Sequence, residues 1–269
     1  MTALVLVLAF IAGLLIGSFL NVCIYRVPRD LSIVAPRSFC PECTQQISWQ
    51  HNIPILSFLW LRGRCGGCSH RIPIRYPLVE FITGLVFLLV ALRFGIDWSA
   101  LKWALFASLL IVLFFTDLEE RLLPDECTLG GSIAGLILAA FVAVPGVFGE
   151  LILPTSGMRV QSLVNALLGA LILAVPIWSI GALWSRMRGR EALGFGDIKL
   201  LALLGIFLGP EIGILALTAG AVTGAVGGIG AALWTRQSVR TYELPFGSFL
   251  CAAAIVVMLL RAPAGSAPF

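Results

Sequence analysis

Eight apolar runs of membrane-spanning length, near residues 3–25, 77–96, 99–116, 127–148, 163–185, 192–209, 211–234 and 245–261, restrict this chain more than any other feature. A hydrocarbon layer about 30 Å thick needs roughly 20 apolar residues at about 1.5 Å each, and inside it every backbone N–H and C=O must be satisfied by protein. Helices meet that demand segment by segment. The expected fold class is therefore an all-α polytopic membrane protein with about eight transmembrane helices. Only Gly209-Pro210-Glu211 separates the runs at 192–209 and 211–234, so a re-entrant pair reads the same way. Gly220, Gly224, Gly227, Gly228 and Gly230 in the later run space small residues for close helix packing. At 59% hydrophobic residues and a mean hydropathy of +1.01, the composition excludes an ordinary water-soluble domain.

Loop charge orients the helices. The apolar start lacks a basic flank and a small-residue cleavage signal, so it reads as a retained span. With the N-terminus outside, all of the 18 Lys and Arg residues except Arg93, Lys102, Arg159 and Arg261 fall on the inner side. Both termini are then periplasmic and residues 26–76 form a cytoplasmic loop. The domain reading is 1–25 as a first transmembrane helix, 26–76 as a cytoplasmic zinc-knuckle loop, and 77–269 as a transmembrane core. Basic residues are scattered among short loops, which excludes a nucleic-acid footprint and leaves the lipid bilayer as the partner that composition implies. Nothing in the sequence fixes the oligomeric state.

The inner loop carries Cys40-Pro41-Glu42-Cys43 and Cys65-Gly66-Gly67-Cys68. Each Cys-x-x-Cys turn offers two thiolates on one side of a tight loop, and Zn²⁺ is satisfied by four soft ligands in a tetrahedron. A structural zinc site on Cys40, Cys43, Cys65 and Cys68 is the expectation, with two disulfides as the alternative that a reducing compartment disfavours. His51 and His70 read as ordinary loop residues. Cys23, Cys127 and Cys251 stand singly in apolar runs and read as small hydrophobes.

Acids in or beside apolar runs need a reason. To reach Gly209-Pro210, the sixth span must begin at or before Ala192, which puts Asp197 of Gly194-Phe195-Gly196-Asp197 inside the membrane boundary. The third run ends on Asp117, at the same inner boundary. Two aspartates from separate helices at one depth can activate water as base and acid; the alternative is that Asp117 caps a solvated helix end. Glu80, in the second span, either holds a substrate amine or pairs with Arg75 or Arg71. Two other classes of function use the same residues: a proton-coupled transporter relaying through Asp117, Asp197 and Glu80, and a membrane thiol-redox protein using the Cys-x-x-Cys pairs.

Gly194-Phe195-Gly196-Asp197 matches the GxGD signature of intramembrane aspartyl proteases, and the whole chain resembles the type IV prepilin peptidases. The match includes Gly17-Ser18-Phe19-Leu20-Asn21-Val22, Arg62-Gly63-Arg64-Cys65, Arg75-Tyr76-Pro77-Leu78-Val79-Glu80, Leu123-Pro124-Asp125 and Pro245-Phe246-Gly247. Two positions depart from the family pattern: Gly130 and Ser248 each stand where proline is common. The resemblance implies catalytic Asp117 and Asp197 in a bacterial inner membrane. It also implies cleavage of the basic leaders of prepilins or type II secretion pseudopilins after a glycine, at the cytoplasmic face. N-methylation of the new terminus from S-adenosylmethionine rests on the resemblance alone, because no glycine-rich nucleotide fingerprint is present. For a basic leader, Glu119, Glu120, Asp125 and Lys199 near the two aspartates are further candidate contacts.

Overall fold

The computed structural model describes residues 2–40, 42–189, 194–235 and 245–263. Among them every regular element is helical: α1 (Ala3–Arg26), α2 (Leu56–Trp60), α3 (Arg75–Phe94), α4 (Trp98–Glu120), α5 (Asp125–Ala139), α6 (Phe148–Ile152), α7 (Met158–Arg188), α8 (Phe195–Thr235) and α9 (Phe246–Arg261), with 3₁₀ turns at Val27–Arg29 and Trp49–Asn52. The chain divides into two compact units, Met1–Gly95 and Ile96–Phe269.

Among the described residues five helical segments are long and apolar enough to cross a membrane: Ala3–Arg29, Arg75–Phe94, Trp98–Glu120, Met158–Arg188 and Phe195–Leu233. The eight apolar runs map onto these and onto two shorter helices, α5 and α9. The sixth and seventh runs form the two halves of α8, which breaks at Gly209 with φ 73° and ψ 179°. A side chain there would strike the Pro145 carbonyl oxygen, so the break takes a glycine on steric as well as dihedral grounds. Arg190 and Ala192, and the inner-loop Arg236 and Arg240, lie outside the described residues.

In the first unit α1 packs on α3. Asn21 ties them by donating to the Tyr76 carbonyl at 3.0 Å. Buried Arg26 then gathers the start of the loop, donating to the Ser32 and Pro36 carbonyls at 2.8 and 2.9 Å.

In the second unit the core lies on α4 and the first half of α8. Phe106, Leu110, Leu113, Leu200, Leu203 and Phe207 are fully buried. Phe106 stacks on Phe207, with ring centroids 4.5 Å apart. Gly169 of α7 and Gly205 of α8 meet backbone to backbone, leaving no room for a Cβ at either.

Sequence reading placed the fourth span at 127–148 and the fifth at 163–185. Instead α5 ends at Ala139 and α7 begins at Met158. Residues 140–147 stay apolar without being helical, because long-range side chains satisfy their backbone. Ser162 donates to the Ala139 carbonyl and accepts from the Val144 N–H, Asn165 donates to the Val144 and Gly146 carbonyls, and Glu211 accepts from the Val147 N–H. Lys102, counted among outer-loop charges, is instead fully buried on α4 and donates to the Ala143 carbonyl at 3.0 Å. Of the glycines expected to form a packing face on the seventh run, Gly220 and Gly227 do abut Leu250 and Phe249 of α9, whereas a Cβ on Gly230 would meet open space.

Candidate active site

The polar network just described marks one end of the second unit. Asp117 marks the other, 15 residues further along α4, or about 22 Å at helical rise. Its backbone carbonyl caps the helix through the Arg121 N–H, and Arg121 closes the turn in the left-handed conformation. The carboxylate is 6% exposed and points at the start of α9. There its Oδ2 accepts from the Ser248 backbone N–H at 2.6 Å and lies 2.9 Å from the Ser248 hydroxyl.

Asp197 sits in the first turn of α8, its N–H donating to the Gly194 carbonyl at 3.1 Å, and its side chain is half-buried. The two carboxylates lie within electrostatic reach of each other. Buried Cys251, one turn along α9 from Gly247, is within reach of both. Leu123 is the wedge that sets these helix starts: a Cβ on Gly196 would lie 3.2 Å from Leu123 Cβ, and one on Gly247 would lie 3.2 Å from Leu123 Cδ1 and 3.1 Å from the Asp117 carboxyl carbon. The GxGD glycine Gly196 thus gives α8 its approach to Leu123, and Gly247 does the same for α9. Gly194 lies just before the helix, exposed, and a Cβ there would stand 3.6 Å from Asp197 Oδ2.

Lys199 and Asp125 pair at 2.5 Å, joining the start of α8 to the start of α5 two residues beyond Asp197. Asp125 is 57% exposed, so the pair contributes at most about 1 kcal/mol and serves mainly to align the two helix ends. Glu119 and Glu120 are exposed at the end of α4. Sequence reasoning missed Ser248, Gly247 and Leu123 as neighbours of the dyad. The available signal was that Pro245-Phe246-Gly247 opens a helix, whose first N–H groups have no intrahelical partner and attract an acid.

In the first unit the four cysteines converge: their sulfur atoms all lie within 4.8 Å of one another. Two similar knuckles achieve this. Cys40 and Cys65 donate their N–H groups to the Gln45 and His70 carbonyls and accept from Thr44 and Ser69, both at positive φ. Single antiparallel bridges, Phe39 with Gln46 and Arg64 with Arg71, close the two turns. The backbone N–H groups of Cys68 and Gly67 aim at the Cys65 sulfur and hold its thiol down at about 7. Four mutually close sulfurs fit a tetrahedral Zn²⁺ better than two separate Cys-x-x-Cys disulfides. His70 lies 3.8 Å from Glu42, and His51 packs against Gly66; neither belongs to the four-sulfur cluster.

Beside the knuckles lies a cavity of about 480 Å³, within the usual range for small-molecule sites, lined by Asn21, Tyr25, His51, Cys65, Tyr76 and Glu80 among others. Glu80 is 9% exposed and accepts from the Ile55 N–H at 2.7 Å, with Ser18 as a second donor. Ile55 is held at φ 59°, a costly conformation for a β-branched residue. Asn21 Oδ1 is buried without a hydrogen-bond partner among the described residues.

Residues 11–94 match the family model described as the Bacterial Peptidase A24 N-terminal domain, and residues 104–229 match the Type IV leader peptidase family. A protein of Aeromonas hydrophila named prepilin leader peptidase/N-methyltransferase is 36% identical over 276 residues, covering 94% of this chain and 89% of that protein. One of the same name from Myxococcus xanthus is 40% identical over 236 residues, covering 87% of this chain and 66% of its own, and one from Neisseria gonorrhoeae is 37% identical over 226 residues, covering 75% and 73%. No solved structure matches the chain. With both family models aligned in order along an all-helical, apolar chain, and relatives of this identity matched over most of their length, the chain belongs to the type IV leader peptidase family, the prepilin peptidases.

Proposed function

We propose that this protein cleaves the basic leader of type IV prepilins or type II secretion pseudopilins after a glycine, and that it then N-methylates the exposed amine. The observation that carries the reading is a pair of aspartates, Asp117 and Asp197, brought from separate helices to one end of the second unit in a chain of this family. One carboxylate, ionised, takes a proton from water as its oxygen attacks the scissile carbonyl. The other, protonated, donates to the carbonyl oxygen. Collapse of the tetrahedral intermediate breaks the C–N bond, and the departing amine takes back a proton. The membrane is the bacterial inner membrane, and the excess of Lys and Arg on one side supports placing the Asp117 end at its cytoplasmic face. On this reading residues 1–25 anchor, 26–76 form the zinc module, and the peptidase core beginning at residue 77 carries its dyad wholly within Ile96–Phe269.

Zn²⁺ on Cys40, Cys43, Cys65 and Cys68 would lock the two knuckles, its four sulfur ligands leaving no open position for chemistry. S-adenosylmethionine, when bound, supplies an electrophilic methyl group on a sulfonium. The residues of the first-unit cavity fit it: Glu80 offers a carboxylate to a cation, Tyr25 and Tyr76 offer aromatic faces, and Asn21 has an unpartnered acceptor. Incubating detergent-purified protein with a prepilin-like peptide, with and without S-adenosylmethionine, and weighing the products tests the whole reading. The expected products are a leader ending in glycine in both reactions, and a mature peptide heavier by the mass of one CH₂, a methyl in place of a hydrogen, only with the donor. An uncleaved peptide would overturn it.

Glu119 and Glu120 give the second unit an acidic edge within three residues of Asp117, suited to a basic leader. Exposed charges contribute about 1 kcal/mol or less each. The Glu119→Gln, Glu120→Gln double variant is therefore expected to raise KM for a basic-leader peptide several-fold with little change in kcat, and less so at high salt. Steady-state kinetics on basic and neutralised leaders checks this; an equal effect on both would assign the acids to the fold instead. Asp125, paired with Lys199, is expected to keep most activity as Asp125→Asn.

A further inference from the structure

Ser248 makes three short polar contacts with a supply of two protons. Its backbone N–H donates to Asp117 Oδ2 at 2.6 Å. Its hydroxyl lies 2.9 Å from Asp117 Oδ2 and 2.9 Å from the Phe114 carbonyl oxygen. A hydroxyl has one hydrogen to give, and both neighbours accept. The residue is 2% exposed, so water does not compete for the choice. Ser248 is also the third residue of α9, and its N–H is one of the helix's first, intrahelically unpaired donors. Asp117 is thus the side chain that completes the start of α9, although 131 residues separate the two in sequence.

We propose that Ser248 is a positioning residue whose hydroxyl follows the charge on Asp117. While Asp117 is ionised, the hydroxyl turns to Oδ2, giving that oxygen two donors. Once Asp117 holds a proton, the hydroxyl turns to the Phe114 carbonyl, one turn back on α4, and only the backbone donor remains. The carboxyl group is pinned through Oδ2 in both states, which leaves Oδ1 to face the reacting water and to give and take the proton. No bond other than hydrogen bonds is made or broken at Ser248, and the rotation needs no movement of the backbone. The inference rests on the reading of Asp117 as half of the catalytic dyad. Ser248 lies beyond the residues matched by the Type IV leader peptidase model, which end at 229.

Two substitutions test the hydroxyl. Ser248→Ala removes the hydroxyl alone and is expected to lower kcat for peptide cleavage about 10-fold with KM within about 2-fold, the rate equivalent of one hydrogen bond to a charged group. Ser248→Thr restores a hydroxyl and is expected to return kcat to within about 3-fold of wild type. Full kcat in Ser248→Ala, or a loss that Ser248→Thr does not recover, overturns the proposal, as does a fall carried by KM instead of kcat. Asp117→Asn, assayed beside them, keeps the two claims apart. If it is inactive while Ser248→Ala is fully active, only the Ser248 inference fails; if it is active, the dyad reading fails with it.

Discussion

Asp117→Asn and Asp197→Asn are each expected to lower leader cleavage by about 10³-fold or more while the protein remains folded and membrane-inserted. An amide has nearly the volume of a carboxylate but can neither accept a proton from water nor hold one for the carbonyl oxygen. The effect is large because the two groups act as one device, and either alone leaves half of an acid–base pair. Folding should survive for reasons the surroundings supply. Asn at 117 retains an acceptor for the Ser248 N–H, and the Leu123 wedge with Gly196 and Gly247 is untouched. Asp197 is only half-buried, so an amide there stays partly solvated. Timed cleavage of a prepilin-like peptide, alongside thermal unfolding in the same detergent, measures both statements. Turnover within 10-fold of wild type in either variant, on a folded protein, would remove the dyad from the account.

The second large effect concerns the cysteines. Metal analysis of the purified protein is expected to find one zinc per chain, and Cys→Ser at any one of Cys40, Cys43, Cys65 or Cys68 to bring the content close to zero. A structural zinc in a small site binds with an apparent free energy of about 10–16 kcal/mol, so a missing ligand removes much of what orders the loop. Each knuckle turn is short, closed by one isolated bridge and a few backbone hydrogen bonds. The cavity wall includes Cys40 and Cys65 themselves, so loss of metal should cost methylation first. Cleavage should persist to a greater degree, because Asp117, Asp197 and Ser248 all belong to Ile96–Phe269. Cys23→Ser is the control: Cys23 is buried in α1 outside the four-sulfur cluster, and zinc should be unchanged. A Cys65→Ser variant with full zinc would dismiss the four-thiolate site.

Which of these features the sequence discloses depends on how far apart the interacting residues are. Apolar runs, Cys-x-x-Cys turns and an acid framed by glycines are local patterns, and each has one economical physical explanation. The helices, the four-sulfur cluster and the likeness to prepilin peptidases followed from them. What escaped depends on partners distant along the chain. Residues 140–147 look like the continuation of a span because they are apolar, and Ser162, Asn165 and Glu211, arriving from α7 and α8, let their backbone leave the helix. Lys102 looked like an exposed outer-side charge until the Ala143 carbonyl supplied a partner. In sequence the near partners of Glu80 are Arg75 and Arg71, whereas its contact with Ile55, 25 residues earlier, depends on a backbone conformation no pattern announces. In sequence Ser248 shows only as a departure from proline; its contact with Asp117 appears once α9 is packed on α4.

The central claim is that Asp117 and Asp197 work as one acid–base pair, with one carboxyl protonated and one ionised in the active form. The pH dependence of kcat/KM for cleavage, measured on the purified protein with a leader whose own charge is constant across the range, tests it most directly. A coupled pair is inactive when both groups are protonated and again when both are ionised, so the profile must fall on both sides of a maximum, and its two apparent constants belong to the pair. The account predicts that two-limbed curve. A rate that stays level down to the most acidic pH at which the protein remains folded would contradict it.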